Sequence, residues 1–227
     1  FDLVIYGSIR RSDLFFDDVV KYNNKFIFID GEDDNHIDTK YSNQGLYFKR
    51  ELLSEDHRIK PISFAIPKSK ILKEIDYHPK NILAPLIPGR LNTYIYDNEK
   101  SYYEMYKKSI FALTYKKAGW DCLRHYEILM NGCIPLFLDV ENCPKKIITT
   151  LPKRKLIDLL SDFNYIFSYY NPLKIFKKKH LTFQRMFNLL KFNFKSDNLE
   201  NFIEENERVF ELKKDLLNFT KKNLTTE

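Results

Sequence analysis

The sequence predicts an α/β protein whose parallel sheets are covered by helices on both faces. Short continuous apolar runs, such as residues 26–29 and 110–113, have the length of buried strands. Amphipathic stretches with helical spacing separate these runs. The 227 residues are 44% hydrophobic and 15% aromatic, which is enough apolar surface for a core and excludes wholesale disorder. No apolar run approaches the roughly 18 to 20 residues that a membrane span needs.

The elements of the first third alternate between strand and helix. Leu3–Tyr6 predicts a strand that ends at the turn after it. Ser12 is a suitable cap for a helix that continues to Tyr22. Phe26–Ile29 predicts a second strand, stopped by an Asp-Gly pair, and Ile62–Ile66 predicts a third, closed by a proline.

The pattern starts again near residues 77–80, so we place a boundary there and predict two domains, 1–78 and 79–227. The predicted elements of the second domain are a strand over 82–87, a turn at Pro88-Gly89, a helix over 99–108, a strand over 110–113, a helix over 121–131 ended by Gly132, a strand over 133–138 and C-terminal helices over 156–167, 180–190 and 199–217.

The chain opens inside an apolar run and without a methionine, so we expect a fragment that lacks the start of its first domain. No secretory signal pattern opens it either. The three cysteines, an odd number without metal-binding spacing, predict free thiols rather than a disulfide framework. We therefore expect a cytoplasmic protein.

The net charge of +6 is unevenly placed along the chain. Residues 151–195 hold ten Lys or Arg and only two acids, which indicates either an anionic partner or a solvated lysine-rich face. No nucleic-acid-binding motif accompanies this block, so we do not expect a nucleic-acid partner. Lys174–Lys179 alone favours peripheral contact with an anionic membrane.

The most informative stretch is Lys116–Pro135, KKAGWDCLRHYEILMNGCIP. It places a polar loop between a buried strand and a helix, and the N-terminus of a helix suits a phosphate. Arg124 and Glu127 lie three residues apart on one side of that helix. An arginine can bind phosphate oxygens through its planar fork, and a glutamate can accept from the hydroxyls of a ribose. On spacing alone, a surface ion pair worth a few tenths of a kcal/mol is the alternative.

This stretch resembles the donor-binding signature of the two-Rossmann-domain (GT-B) glycosyltransferases, most closely the exostosin-like branch. The resemblance lies in Arg124-His125-Tyr126-Glu127 followed by Gly132-Cys133-Ile134-Pro135. A predicted strand at Ser109–Leu113 precedes these motifs, and further upstream Gly89-Arg90 provides a basic residue. It covers about residues 82–140. It implies a GT-B-like fold: a Rossmann-like donor domain with C-terminal helices, preceded by part of a second Rossmann-like domain.

The resemblance also implies an activity, the transfer of a sugar from a nucleotide-diphosphate sugar to a saccharide or lipid-linked acceptor. The donor is a substrate, and no cofactor or metal is expected, because basic side chains offset the phosphate charges. Asp121 stands near a position where many relatives have serine, and it would cap the helix or contact the donor sugar. The donor-site residues implied are Arg90, Lys116, Lys117, Trp120, Asp121, Arg124 and Glu127.

The acids at Asp30–Asp34 follow a predicted strand. They fit a solvated turn, a role at the acceptor cleft or, least well, a divalent metal site. An inverting transferase needs a general base near the acceptor, and Asp33 and His36 are the candidates in this chain. Two other functions stay open: a non-catalytic nucleotide- or saccharide-binding module, and a basic peripheral membrane-interaction domain.

Overall fold

The computed structural model describes residues 2–7, 11–22, 25–160, 199–205 and 208–226. The protein is α/β, with two sheets made of parallel strands and helices at the C-terminus. The chain forms two compact units: unit 1 is Phe1–Phe64, Lys116–Leu123 and Asn142–Leu151, and unit 2 is Ala65–Tyr115, Arg124–Glu141 and Pro152–Glu227. These units are interleaved along the chain, whereas the predicted domains 1–78 and 79–227 are consecutive.

Unit 1 contains a four-stranded parallel sheet in the order β1-β2-β3-β4. Its core is aromatic, because inward-facing residues on neighbouring strands, such as Phe28 and Tyr47, are fully buried. The rings of Phe16 and Tyr41 cover this face, with centroids 5.2 Å apart. The elements of unit 1 are β1 Val4–Gly7, α1 Phe16–Val19, β2 Phe26–Asp30, α2 Thr39–Ser42, β3 Leu46–Lys49 and β4 Ile59–Pro61.

Two predictions for the first third of the chain are wrong. The helix predicted from Ser12 to Tyr22 is a single turn, because Phe15 has a φ of 64° and the helix begins only after it. The third strand is not at Ile62–Ile66. Its place is taken by β3 and β4, and Ile66 instead forms a lone parallel bridge with Thr225 in unit 2.

Unit 2 contains a three-stranded parallel sheet in the order β5-β6-β7. Every residue of the central strand β6 is buried, as expected for a parallel strand covered on both faces. The elements of unit 2 are β5 Asn81–Leu83, α3 Glu99–Lys107, β6 Ser109–Thr114, α4 Leu123–Met130, β7 Ile134–Phe137, helical residues 153–160 and the helices Leu199–Glu205 and Arg208–Asn223, with 3-10 turns at Lys68–Lys70, Leu91–Thr93 and Val140–Asn142.

The sequence placed α3, β6, α4 and β7 to within about two residues, so these predictions are confirmed. The predicted helix over 180–190 and the cluster Lys174–Lys179, with most of the basic block, lie outside the described residues. In the part of the chain that the structure describes, no helix is both long and apolar enough to cross a bilayer.

The helix Arg208–Asn223 belongs to the core of unit 2. Its Lys213 is buried, and the Nζ donates to the carbonyl oxygen of Ser109 at 3.2 Å. Burial lowers the pKa of Lys213 because it disfavours the charged ammonium. The end of the helix is fixed by a hydrogen bond of 2.8 Å from the Ile66 N–H to the Leu224 oxygen.

Gly132 ends α4 as the sequence predicts. The N–H of Gly132 donates to the Leu129 oxygen at 3.0 Å and the N–H of Cys133 to the Ile128 oxygen at 3.1 Å. These are the two bonds of a Schellman motif, and they need a left-handed residue at Gly132, whose φ is 66°. This turn sends the chain from α4 directly into β7.

We expect Gly132→Ala to lower the free energy of unfolding by about 1 to 2 kcal/mol, the cost of a left-handed backbone for an L-residue. The added Cβ would also lie 3.2 Å from Leu72 Cδ2. Urea denaturation measures the change. Gly31→Ala is the control, because a Cβ there meets nothing within 4 Å; an equal loss in both variants would contradict this account of the turn.

Candidate functional site

Arg124 lies in the first turn of α4, the helix that follows β6 in the chain. Its side chain is buried, with 9% of the residue surface exposed, and its Nη1 finds no hydrogen-bond partner among the described residues. Buried polar groups of folded proteins are almost always bonded, and an unpaired cation is the costliest exception. The sequence predicted Arg124 as a phosphate contact but did not predict its burial.

Glu127 is one turn further along α4 and half-buried. Its Oε2 accepts a hydrogen bond of 2.9 Å from the hydroxyl of Tyr102, which lies 3.1 Å from that of Tyr106. Burial raises the pKa of Glu127, partly offset by the bond from Tyr102 and by the charge of Arg124. Within the described part of the chain, no ion pair of 4.0 Å or less joins Arg124 to Glu127, so the two do not form the surface pair that their spacing allows.

Glu127 lies on the wall of a cavity of about 280 Å³, here called the tyrosine pocket. Four tyrosines and three acids line it, and sequence reasoning found only Glu127. The signal was present in the run of tyrosines at 94–103 around Asn98, whose side chain caps α3. The lining residues are Leu86, Tyr94, Tyr96, Asp97, Asn98, Glu99, Tyr102, Tyr103 and Glu127.

Arg90, the other predicted donor residue of unit 2, follows the turn beyond β5. Gly89 has a φ of 79°, and the Arg90 oxygen accepts from the Thr93 hydroxyl at 2.7 Å. The hydroxyl of Tyr115 donates to the Pro88 oxygen at 2.6 Å, which ties the end of β6 to this turn. The charge of Arg124 partly offsets the burial that raises the pKa of Tyr115. Tyr115 therefore lies near both the turn and Arg124.

The other four predicted donor residues belong to unit 1. Lys116 places its Nζ 5.8 Å from the centroid of the Trp120 ring, and the side chain of Lys117 is exposed. Asp121 is buried, and its Oδ2 accepts from the N–H of Phe64 at 3.0 Å. Its own N–H donates to Glu51 Oε1 at 2.8 Å. The loop 116–123 is thus bonded to the segments that follow β3 and β4.

Arg50, just beyond β3, organises this part of unit 1. Its guanidinium donates to the oxygens of Gly31, at 2.9 Å, and Asp121, and to the carboxylate of Asp33. Sequence reasoning missed Arg50, because β3 itself was not predicted. Arg50, Asp33 and Asp121 lie on the wall of a second cavity, of about 470 Å³. Its lining residues are Asp33, Arg50, Phe64, Lys117, Ala118, Gly119, Asp121, Cys122 and Leu123.

The acids after β2 are held by cations. Asp30 and Lys49 are register partners at the ends of β2 and β3, both fully buried, with Asp30 Oδ1 2.9 Å from the Lys49 Nζ. The hydroxyl of Tyr47 donates to the other oxygen of Asp30 at 2.7 Å. His36 is exposed in the following loop. Among the described residues, no group of three or more His, Cys, Asp or Glu is arranged to hold a metal ion.

Comparison with known proteins found no match: no family model fits the sequence, and neither a curated protein nor a solved structure is significantly similar. The exostosin-like resemblance of residues 82–140 therefore stays a prediction.

Two buried arginines, one with hydrogen bonds from its guanidinium and one with an unpaired Nη1, give a direct test of the site. Each guanidinium nitrogen of Arg50, a residue 7% exposed, donates a hydrogen bond, whereas Arg124 has an unpaired Nη1. We expect Arg50→Met to lower the free energy of unfolding by about 3 kcal/mol, the cost of breaking a buried charged network. Arg124→Met should be within about 1 kcal/mol of neutral or stabilising, because it removes an unsatisfied group. Equal losses, measured by urea denaturation, would show that Arg124 is bonded as a structural residue.

The raised pKa of Glu127 predicts a pH dependence of stability. Between the ordinary carboxyl pKa of 4.5 and the raised value, the folded state binds more protons than the unfolded state, so this group makes stability fall as the pH rises. Glu127→Gln removes that loss of stability, and its amide oxygen can still accept the hydrogen bond from Tyr102. We expect the variant to match the wild type near pH 4 and to be more stable at pH 8. Glu74→Gln, at an exposed residue, is the control; a constant difference across pH would contradict the assignment.

Proposed function

We propose that the protein is a glycosyltransferase of the GT-B type, which transfers a sugar from a nucleotide-diphosphate sugar to a saccharide or lipid-linked acceptor. The observation that supports this most is the buried guanidinium of Arg124, whose Nη1 lacks a partner in the described residues. A diphosphate would supply both the missing acceptor and the opposite charge.

The position of Arg124 suits this role. It projects from the first turn of α4, where the helix dipole also favours an anion. When the glycosyl bond breaks, negative charge accumulates on the departing nucleoside diphosphate. A cation already fixed beside the diphosphate stabilises that charge without reorganisation, so stabilising the leaving group needs no metal.

Glu127 supports the nucleoside end of the same ligand. Its Oε2 is bonded to Tyr102, while its Oε1 has no hydrogen bond to a described residue. A ribose hydroxyl is a neutral donor of the kind that Oε1 lacks. Arg124 and Glu127 stand one turn apart on α4, so one helix would hold both the diphosphate and the ribose.

Unit 1 would bind the acceptor. Asp33 and His36 follow β2 at the carboxyl end of a parallel sheet, which is where open α/β sheets bind ligands. Arg50 contacts one oxygen of Asp33, and the other oxygen has no hydrogen bond to a described residue. We propose Asp33 as the base, with His36 as the alternative. The sequence-based assignment of Arg90, Lys116, Lys117, Trp120 and Asp121 to the donor stays a prediction.

Arg124→Lys tests the proposal, because it keeps the charge but loses the planar fork. We expect it to weaken the binding of nucleoside diphosphates about ten- to hundredfold, the scale of 1 to 3 kcal/mol for a charged hydrogen bond. Titration calorimetry of the full chain measures this. Arg58→Lys is the matched control, since Arg58 is exposed and pairs with Asp56 at 2.7 Å.

Failure of every nucleoside diphosphate to bind would overturn the proposed function, and so would equal weakening by the two substitutions. Binding of a nucleotide sugar without its transfer or hydrolysis, across a panel of saccharide and lipid-linked acceptors, would favour the non-catalytic binding module instead.

A further inference from the structure

We propose that the tyrosine pocket binds the base of the donor and selects guanine. This inference rests on the proposed function, since Glu127 connects the pocket to the ribose. The pocket's volume of about 280 Å³ is slightly below the roughly 300 Å³ at which sites for drug-sized ligands start, so it suits a base rather than a whole nucleotide sugar.

Asp97 carries the selectivity. Two of the three acids in the pocket are engaged: Glu99 accepts from Lys70 at 2.5 Å and from Tyr103 at 2.8 Å, and Glu127 accepts from Tyr102. The exposed carboxylate of Asp97 makes no hydrogen bond or ion pair with a described residue. Both oxygens of Asp97 are therefore available to a ligand in this pocket, whereas Glu127 offers only Oε1.

A carboxylate discriminates among the bases by its charge and its two parallel acceptors. Guanine presents N1–H and N2–H₂ side by side, so it can donate two parallel hydrogen bonds to one carboxylate. Uracil presents a single N–H between two carbonyl oxygens, and a carboxylate would face at least one of them. Adenine and cytosine each place an acceptor nitrogen where guanine has N1–H. Of the four, guanine alone matches Asp97.

Asn98 supplies a complementary donor. Its side chain is the N-cap of α3, and its Oδ1 accepts from the N–H of Ser101 at 2.9 Å. This bond fixes the amide orientation, so the group left over is the Nδ2 donor, which has no hydrogen bond to a described residue. Guanine carries acceptors at O6 and N7. Asp97 therefore offers acceptors for the N–H groups of guanine, and Asn98 offers a donor for one of its acceptors.

Tyr94 provides a surface for stacking. The rings of Tyr96 and Tyr106 pack against Tyr102, with centroids 6.2 Å and 5.1 Å away, whereas Tyr94 is 44% exposed and its ring pairs with no described aromatic ring. Its hydroxyl accepts from the Gly89 N–H at 3.3 Å, which holds it at the turn beyond β5. A flat base can stack on a ring held in this way.

The test compares nucleoside diphosphates on the full chain by titration calorimetry. We expect GDP to bind at least tenfold more tightly than UDP or ADP. Asp97→Asn should weaken GDP at least tenfold and improve both UDP and xanthosine diphosphate, because each places a carbonyl oxygen beside its N–H that accepts from the new amide. Glu104→Gln, on the exposed side of α3, is the control and should change none of these affinities.

The outcomes separate this inference from the proposed function. If UDP or ADP binds as tightly as GDP, or if Asp97→Asn does not reverse the order of GDP and xanthosine diphosphate, guanine selection is wrong while the donor site stands. If no nucleoside diphosphate binds, both are wrong. Aromatic rings beside acids also suit organic cations, so displacement of GDP by millimolar choline would overturn the assignment to a base.

Discussion

The guanidinium of Arg124 lies below the surface, and its Nη1 is buried without a hydrogen-bond partner among the described residues. It stands at the start of α4, after the fully buried strand β6, and the other end of that helix is fixed by the left-handed turn at Gly132. A cation kept in this position without a partner for its Nη1 destabilises the fold. A loss of stability at one residue of this kind is typical of functional sites, where groups are arranged to bind a ligand rather than to bind one another.

The tyrosine pocket of unit 2 includes Glu127, one helical turn along α4 from that cation. Glu127 accepts a hydrogen bond from the hydroxyl of Tyr102, which lies beside the hydroxyl of Tyr106. Asp97 and Asn98, just before α3, line the same pocket. A change in Arg124, Glu127, Tyr102 or Tyr106 therefore alters the electrostatics of the other three, because burial strengthens interactions between them. Unit 1 is built differently: Arg50 and Lys49 have partners for their charges, so its charged groups stabilise the ends of its strands.

The sequence located the elements whose patterns are local. The continuous apolar runs of β6 and β7 and the Gly-Cys-Ile-Pro turn after α4 placed these elements to within about two residues. The sequence did not predict β3, because this strand depends on a distant contact. It ends in a buried lysine, which is acceptable only because Asp30 lies beside it in the sheet. Arg124 and Glu127 were named from their spacing, but the burial of one and the pocket beside the other come from tertiary packing that no local pattern carries.

A crystal structure of the protein with a bound nucleoside diphosphate tests the central claim most directly. A phosphate oxygen should lie about 3 Å from Arg124 Nη1, and a ribose hydroxyl should lie within hydrogen-bond distance of the Glu127 carboxylate. A diphosphate bound elsewhere, with Nη1 paired to another side chain or to nothing, would contradict the account.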